Sequence, residues 1–113
     1  MEFYLKSETS AHIANQLGDI MEAMDEKSRR ATDWTISAYN TMARDRDFWK
    51  KDCVTVFHEI SDTAVTHFRR QNKTAESDAL FEIVHAVILA LAYMTHEDKG
   101  FRKSSGLKKG FWS

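Results

Sequence analysis

The chain has 113 residues, of which 42% are hydrophobic and 29% are charged. This size and composition fit one soluble domain with a modest core. The chain has no proline, and three of its four glycines lie in the last fourteen residues. The body is therefore almost free of the residues that break helices and build turn-rich β folds. Its single cysteine, Cys53, excludes an internal disulfide.

The sequence pattern predicts neither a targeting segment nor a membrane-spanning segment. Its N-terminus begins acidic and lacks a basic stretch that leads into a long apolar run, which excludes the pattern of a signal peptide. The most apolar run, from Ala86 to Met94, is too short to cross a bilayer and predicts a buried core helix. We therefore expect a cytoplasmic protein.

Charge is distributed unevenly along the chain. All seventeen acidic residues and eleven of the sixteen basic residues precede Lys99. Residues 1–98 therefore carry a formal charge of −6, and residues 99–113 carry +5. We predict a single helical domain over residues 1–98. A basic aromatic tail follows over residues 99–113, and its like charges favour an extended, solvated segment.

Apolar residues recur at helical spacing in four segments. The second segment either starts at a cap on Asp33 or continues the first, because no glycine or proline separates them. The third covers residues 48–71, with Trp49 on its apolar stripe and Phe48 off it, so that Phe48 is predicted to be exposed. The fourth covers residues 76–98 and has the broadest apolar face, which predicts the most buried helix.

Long helices joined by short polar links predict the fold class. We expect an all-α domain of about four helices, either a compact antiparallel bundle or a long helical hairpin that dimerises.

The stretch "FHEISDTAVTHF" in the third segment contains two histidines. At 100° per residue, His67 lies within the apolar stripe and is predicted to be buried, whereas His58 points away from it and is predicted to be exposed. His58 and Asp62 are four residues apart, but a zinc site needs two more ligands. Glu82 and His85 form a Glu-x-x-His pair without the second copy that a di-iron bundle requires.

The stretches "LGDIMEAMDE" and "HEISDTAV" each place two acidic residues one helical turn apart. Together they resemble the two acidic motifs of all-α nucleotide pyrophosphohydrolases of the MazG type. The resemblance implies four carboxylates that hold Mg²⁺ against a triphosphate, with Asp in the first position where the family has Glu. The matching residues are Asp19, Glu22, Glu59 and Asp62.

The tail interleaves aromatic and basic side chains. This combination suits a protein groove, where Trp and Arg are good anchors, and it also suits phosphate contact with base stacking or an anionic membrane surface. Folding back onto the acidic body is the structural alternative. We predict a partner-binding role for seven tail residues: Phe101, Arg102, Lys103, Lys108, Lys109, Phe111 and Trp112.

The sequence contains no glycine-rich phosphate loop and no Gly-x-Ser-x-Gly elbow. We therefore predict a small non-enzymatic interaction protein (a regulator, adaptor or inhibitor) with a protein partner and no cofactor. That partner could be a second copy of the chain, because three tryptophans and seven phenylalanines are many for a small core. Two different functions stay open beside this prediction, namely the Mg²⁺-dependent pyrophosphohydrolase and a nucleic-acid-binding accessory protein. A compact, charge-rich chain of this kind could come from a phage or another mobile element, which the sequence itself does not show.

Overall fold

The computed structural model describes the backbone of residues 8–105 and the side chains of residues 11–105. Four long helices and one short helix occupy most of this range, and it contains no strand. The prediction of an all-α domain with about four helices is confirmed. The helices are α1 (Glu8–Glu22), α2 (Glu26–Met42), α3 (Cys53–Gln71), α4 (Thr74–Thr95) and α5 (Lys99–Ser104), with a 3₁₀ helix at Arg46–Lys50.

A three-residue turn separates α1 from α2, although it contains neither glycine nor proline. The Asp25 side chain accepts a hydrogen bond from the Ser28 amide at 2.8 Å and so caps α2. The Arg29 guanidinium donates to the carbonyls of Met21 at 3.1 Å and Met24 at 3.0 Å, which satisfies the end of α1. The predicted cap at Asp33 is therefore wrong, because the residue that caps α2 lies eight positions earlier, at Asp25.

The third predicted helix is in fact two elements. The 3₁₀ helix ends at Lys50, and α3 begins only after Asp52, whose carboxylate accepts from the Thr55 amide at 2.8 Å. This break changes the direction of Phe48, which is only 2% exposed and packs edge-on against Tyr39 with ring centroids 5.8 Å apart. The prediction that Phe48 is exposed is wrong because it assumed one continuous helix.

The core is built around α4. Every residue from Val87 to Thr95 is buried, and the prediction that α4 is the most buried helix is confirmed. By length and composition alone, α4 is long and apolar enough to cross a membrane. However, 61% of its most apolar 18-residue stretch is buried inside the bundle, as in the core helix of a globular protein. Fully buried residues of the other helices that complete this core include Ile13, Leu17, Ile36, Val56 and Ile60.

Two contacts fix how the helices run. The Cys53 thiol donates to the His96 carbonyl at 2.6 Å, so α3 begins where α4 ends. The ammonium of Lys27 lies 3.5 Å from the carboxylate of Glu76, so α2 begins where α4 begins. Helices α3 and α4 are therefore antiparallel, and α2 runs alongside α4 in the same direction. The Cα radius of gyration is 13.3 Å, as expected for a compact chain of this length.

The tail begins as a helix rather than as an extended segment. Asp98 caps α5 by accepting from the Phe101 amide at 3.0 Å. The Phe101 side chain is half-buried and packs against the core. This capped turn and this apolar contact outweigh the repulsion among the tail's cations over residues 99–104.

Candidate partner-binding grooves

A stacked pair of aromatic rings lies between α2 and α3. The rings of Trp34 and His67 have centroids 3.8 Å apart and an interplanar angle of 6°, and Phe68 is tilted against Trp34 at 5.9 Å. Both α2 and α3 pack more extensively on α4 than on each other. The two helices therefore leave a cleft on the side away from α4, which the stacked pair only partly fills.

The cleft continues on both sides of Trp34, and we call it the α2–α3 groove. Toward the start of α2 it has a volume of about 820 Å³, with an apolar floor that includes Ala31, Phe68 and Leu80. Toward the end of α2 it has a volume of about 340 Å³ and is lined by residues that include Ala38. Trp34 lines both parts, so its half-exposed indole is the centre of one elongated surface.

Charges of both signs line the wide end of the α2–α3 groove and are largely paired. Arg30 forms an ion pair with Glu26, and Lys27 forms one with Glu76. These pairs are exposed, so they contribute little to stability but leave the rim nearly neutral.

The two histidines of α3 differ in environment as their positions predicted, although His67 is not fully buried. His58 is exposed, while His67 is half-buried because Trp34 covers only one face of its ring. Burial, with a smaller contribution from the nearby charge of Arg70, lowers the pKa of His67 below its usual range. This shift favours the neutral form of the imidazole in the stack.

A second groove lies between α1 and α2, with a volume of about 390 Å³, and we call it the α1–α2 groove. It is lined by Gly18, Met21, Glu22, Arg29 and Asp33. A Cβ atom placed on Gly18 would have no atom within 4 Å, so the space above this glycine is open. The Arg29 guanidinium is turned toward the carbonyls at the end of α1, and the carboxylates of Glu22 and Asp33 remain exposed at the rim.

The tail residues predicted to bind a partner fall into two groups. Phe101 and Arg102 are half-buried, and Lys103 is exposed. The other four lie outside the described residues: Lys108, Lys109, Phe111 and Trp112.

The four carboxylates of the pyrophosphohydrolase resemblance do not gather into a metal-binding group. Asp19, Glu22 and Asp62 are exposed. Glu59 accepts from the Lys51 ammonium at 2.8 Å and 3.0 Å, a contact that raises the pKa of Lys51. Within the part of the chain that the structure describes, no three His, Cys, Asp or Glu side chains lie together as metal ligands.

The thiol of Cys53 is 3% exposed, donates to the His96 carbonyl, and has a pKa raised by burial. It has the environment of an unreactive core thiol rather than of a nucleophile.

Sequence reasoning missed the pairing of Trp34 with His67. The spacing of apolar residues placed His67 within the apolar stripe of its helix and Trp34 among the apolar residues of the second segment, but it could not say which helices are neighbours. Comparisons with protein-family models, curated proteins and solved structures give no match to this chain.

Proposed function

We propose that this protein is a small non-enzymatic interaction protein that binds a protein partner in the α2–α3 groove. The observation that carries the proposal is the half-exposed Trp34–His67 stack at the centre of that groove. Tryptophan concentrates binding energy in protein interfaces, because its large ring is rigid and apolar with one polar edge.

The shape of the groove favours an amphipathic helix as the bound element. An open channel between two helices, with an apolar floor and a polar rim, can accept apolar anchors at positions i, i+3 or i+4, and i+7 of a third helix. The α2–α3 groove has an apolar floor in Ala31, Phe68 and Leu80, and it extends past Trp34 toward Ala38. Binding of this type suits a regulator, adaptor or inhibitor.

The charges of the rim favour protein over nucleic acid. A nucleic-acid-binding surface needs basic side chains that are free to contact successive phosphates. At the wide end of the groove Arg30 and Lys27 are each paired with a glutamate. The near-neutral rim instead leaves specificity to shape and to apolar contacts.

Selection from a library of displayed random peptides tests this proposal. We expect enriched peptides to carry aromatic or aliphatic residues at helical spacing. Their binding should shift the NMR signals of the Trp34 indole and the His67 imidazole, and it should be lost in Ala38→Arg. That substitution places a long charged side chain in the groove without removing a core residue.

The matched control is Val54→Arg, which adds the same charge at a position that is 54% exposed and does not line the groove. It should bind the enriched peptides as wild type does. Equal binding to both arginine variants would refute the groove as the docking site. Release of pyrophosphate from nucleoside triphosphates with Mg²⁺, abolished by Glu59→Gln, would establish an enzyme instead.

A further inference from the structure

We propose that the α1–α2 groove binds residues 107–112 of a second copy of this chain, so that the protein dimerises by exchange of its C-terminal segments. This inference goes beyond the proposed function, because it uses a different face of the molecule and a different binding partner. It rests on the form of the groove, on its charge, and on the length of the segment that would fill it.

The groove has room for an apolar side chain. Its floor includes Met21 and the bare backbone of Gly18, above which a Cβ atom would meet nothing within 4 Å. Its volume is about 390 Å³. An apolar recess of this kind suits an inserted aromatic ring, which buries a large area at little cost in conformational entropy.

The groove also has a negative rim. Glu22 and Asp33 line it, and Asp19 is exposed one turn before Glu22 on α1. The one cation of the lining, Arg29, donates to the carbonyls of Met21, Glu22 and Met24. These contacts hold the guanidinium at the end of α1, and the lining keeps a formal excess of one negative charge, two carboxylates against one guanidinium.

Basic side chains are the natural counterions for the carboxylates of this groove. No three of the described His, Cys, Asp and Glu side chains form a metal-binding group. Repulsion among carboxylates along one groove is best relieved by basic side chains that are themselves spaced along a backbone. The occupant is therefore a short basic segment with aromatic anchors.

Residues 107–112 read "LKKGFW" and meet this description. Lys108 and Lys109 supply adjacent cations, and Phe111 and Trp112 supply two aromatic anchors. Gly110 between them allows the backbone to turn or to approach closely. From Lys99 onward the sequence contains no acidic residue, so this part of the chain is not repelled by the rim of the groove.

The reach of the segment favours a second copy over the same copy. Helix α5 follows the end of α4, whereas Arg29 lies two residues after Lys27, which contacts Glu76 near the start of α4. Helix α4 has 22 residues and is about 33 Å long. The seven residues from Gly106 to Trp112 span at most about 25 Å even when fully extended, so within one copy they would have to follow the bundle surface as an almost straight chain, whereas a second copy can bring its segment to the groove directly.

Exchange of segments between two copies gives a dimer with no free binding site. Each copy offers one segment and one groove, so a two-fold dimer uses both segments and leaves no groove open for further growth. Two linked contacts also bind more tightly than one, because the second contact forms within the complex.

Sedimentation equilibrium on the full chain tests the proposal, with Gly18 as the sharpest probe. We expect a concentration-dependent dimer that weakens at high salt. Gly18→Leu should fold normally, since nothing opposes its side chain, and should be monomeric because it fills the groove. Gly18→Ala is the matched control and should dimerise as wild type does.

A charge-reversal pair tests exchange directly. Glu22→Lys with Asp33→Lys reverses the groove, and Lys108→Glu with Lys109→Glu reverses the segment. Each double variant alone should be monomeric. An equimolar mixture should restore the dimer, because each segment then meets a groove of opposite charge in the other copy.

Three results would overturn the proposal: a wild-type monomer at every concentration, a dimer unaffected by Gly18→Leu, or no rescue on mixing. None of them bears on the α2–α3 groove. Conversely, Ala38→Arg should leave the dimer intact, so the two proposals can fail separately.

Discussion

The two edges of α3 differ although they belong to one helix. On the edge that faces α4, Val56, Ile60 and Ala64 are fully buried. On the edge that faces α2, Thr63 and His67 are half-buried, and a stacked ring covers only part of the surface. The first edge is closed by aliphatic packing, whereas the second remains open along a groove.

Under the proposed function, this difference separates the residues that stabilise the fold from those that bind a partner. Aliphatic side chains buried between α3 and α4 leave no surface for a partner, and their removal leaves a cavity. The Trp34–His67 stack contributes a smaller favourable energy, about 0.5–1.5 kcal/mol beyond area burial for a good aromatic pair. Because it is half-exposed, the same surface remains available to a partner.

The largest expected effect lies on the closed edge. Ile60→Ala removes a side chain that is fully buried and should lower the free energy of unfolding by about 2–5 kcal/mol. His67→Ala, on the open edge, should lower it by less than about 1.5 kcal/mol. Urea unfolding of both variants measures the difference. Comparable losses would mean that the two edges are equally important to the fold.

Much of the closed edge could be predicted from the sequence. The spacing of Val56, Ile60 and Ala64 identifies the buried stripe of α3, and the broad apolar face of the fourth segment identifies the central helix. Burial of apolar side chains dominates these regions, so the pattern of residue types is sufficient. The all-α class follows from the same pattern and from the absence of proline.

The helix ends and the groove could not be predicted in this way, because they depend on contacts between residues that the apolar pattern does not relate to each other. Arg29 ends α1 by binding carbonyls five to eight residues earlier in the chain. The 3₁₀ helix turns Phe48 inward, against Tyr39. The groove residues Trp34 and His67 meet because α2 and α3 are neighbours, a fact of topology that helical spacing alone does not contain.

The next largest effect concerns the caps of the two helices, α3 and α5, that begin near the C-terminal end of α4. Asp52 caps α3, and Asp98 caps the six-residue α5. Asp52→Ala should lower Tm by a few degrees, and Asp98→Ala should lower it less, because α5 has no fully buried residue. Thermal unfolding followed by circular dichroism measures both. The reverse order would show that docking of α5 matters more than the start of α3.

The Asp52 cap should also depend on pH. Hydrogen bonds from Thr55 lower the pKa of the Asp52 carboxyl. A lowered folded-state pKa gives stability that is present above the unfolded value of about 3.9 and is lost as pH falls through the folded pKa. The Tm difference between wild type and Asp52→Ala should therefore shrink only in acid, below about pH 4.

The smallest effect should be the pH response of the open edge. Burial lowers the pKa of His67 in the folded protein, so in a window below the unfolded value of about 6.5 the unfolded chain binds more protons than the folded chain. Protonation in this window favours unfolding. Wild type should therefore lose stability between about pH 7.5 and 5.5, and His67→Gln should lose less over the same range.

Subtracting the two stability curves removes the contributions of the other four histidines, which both proteins share. The difference should be a fraction of a kcal/mol, since His67 is only half-buried. A competing force has the opposite sign, because an imidazolium over the Trp34 ring gains a cation–π attraction. If wild type instead gains stability relative to His67→Gln as pH falls, that attraction exceeds the desolvation cost. The open edge would then close more tightly in acid rather than loosen.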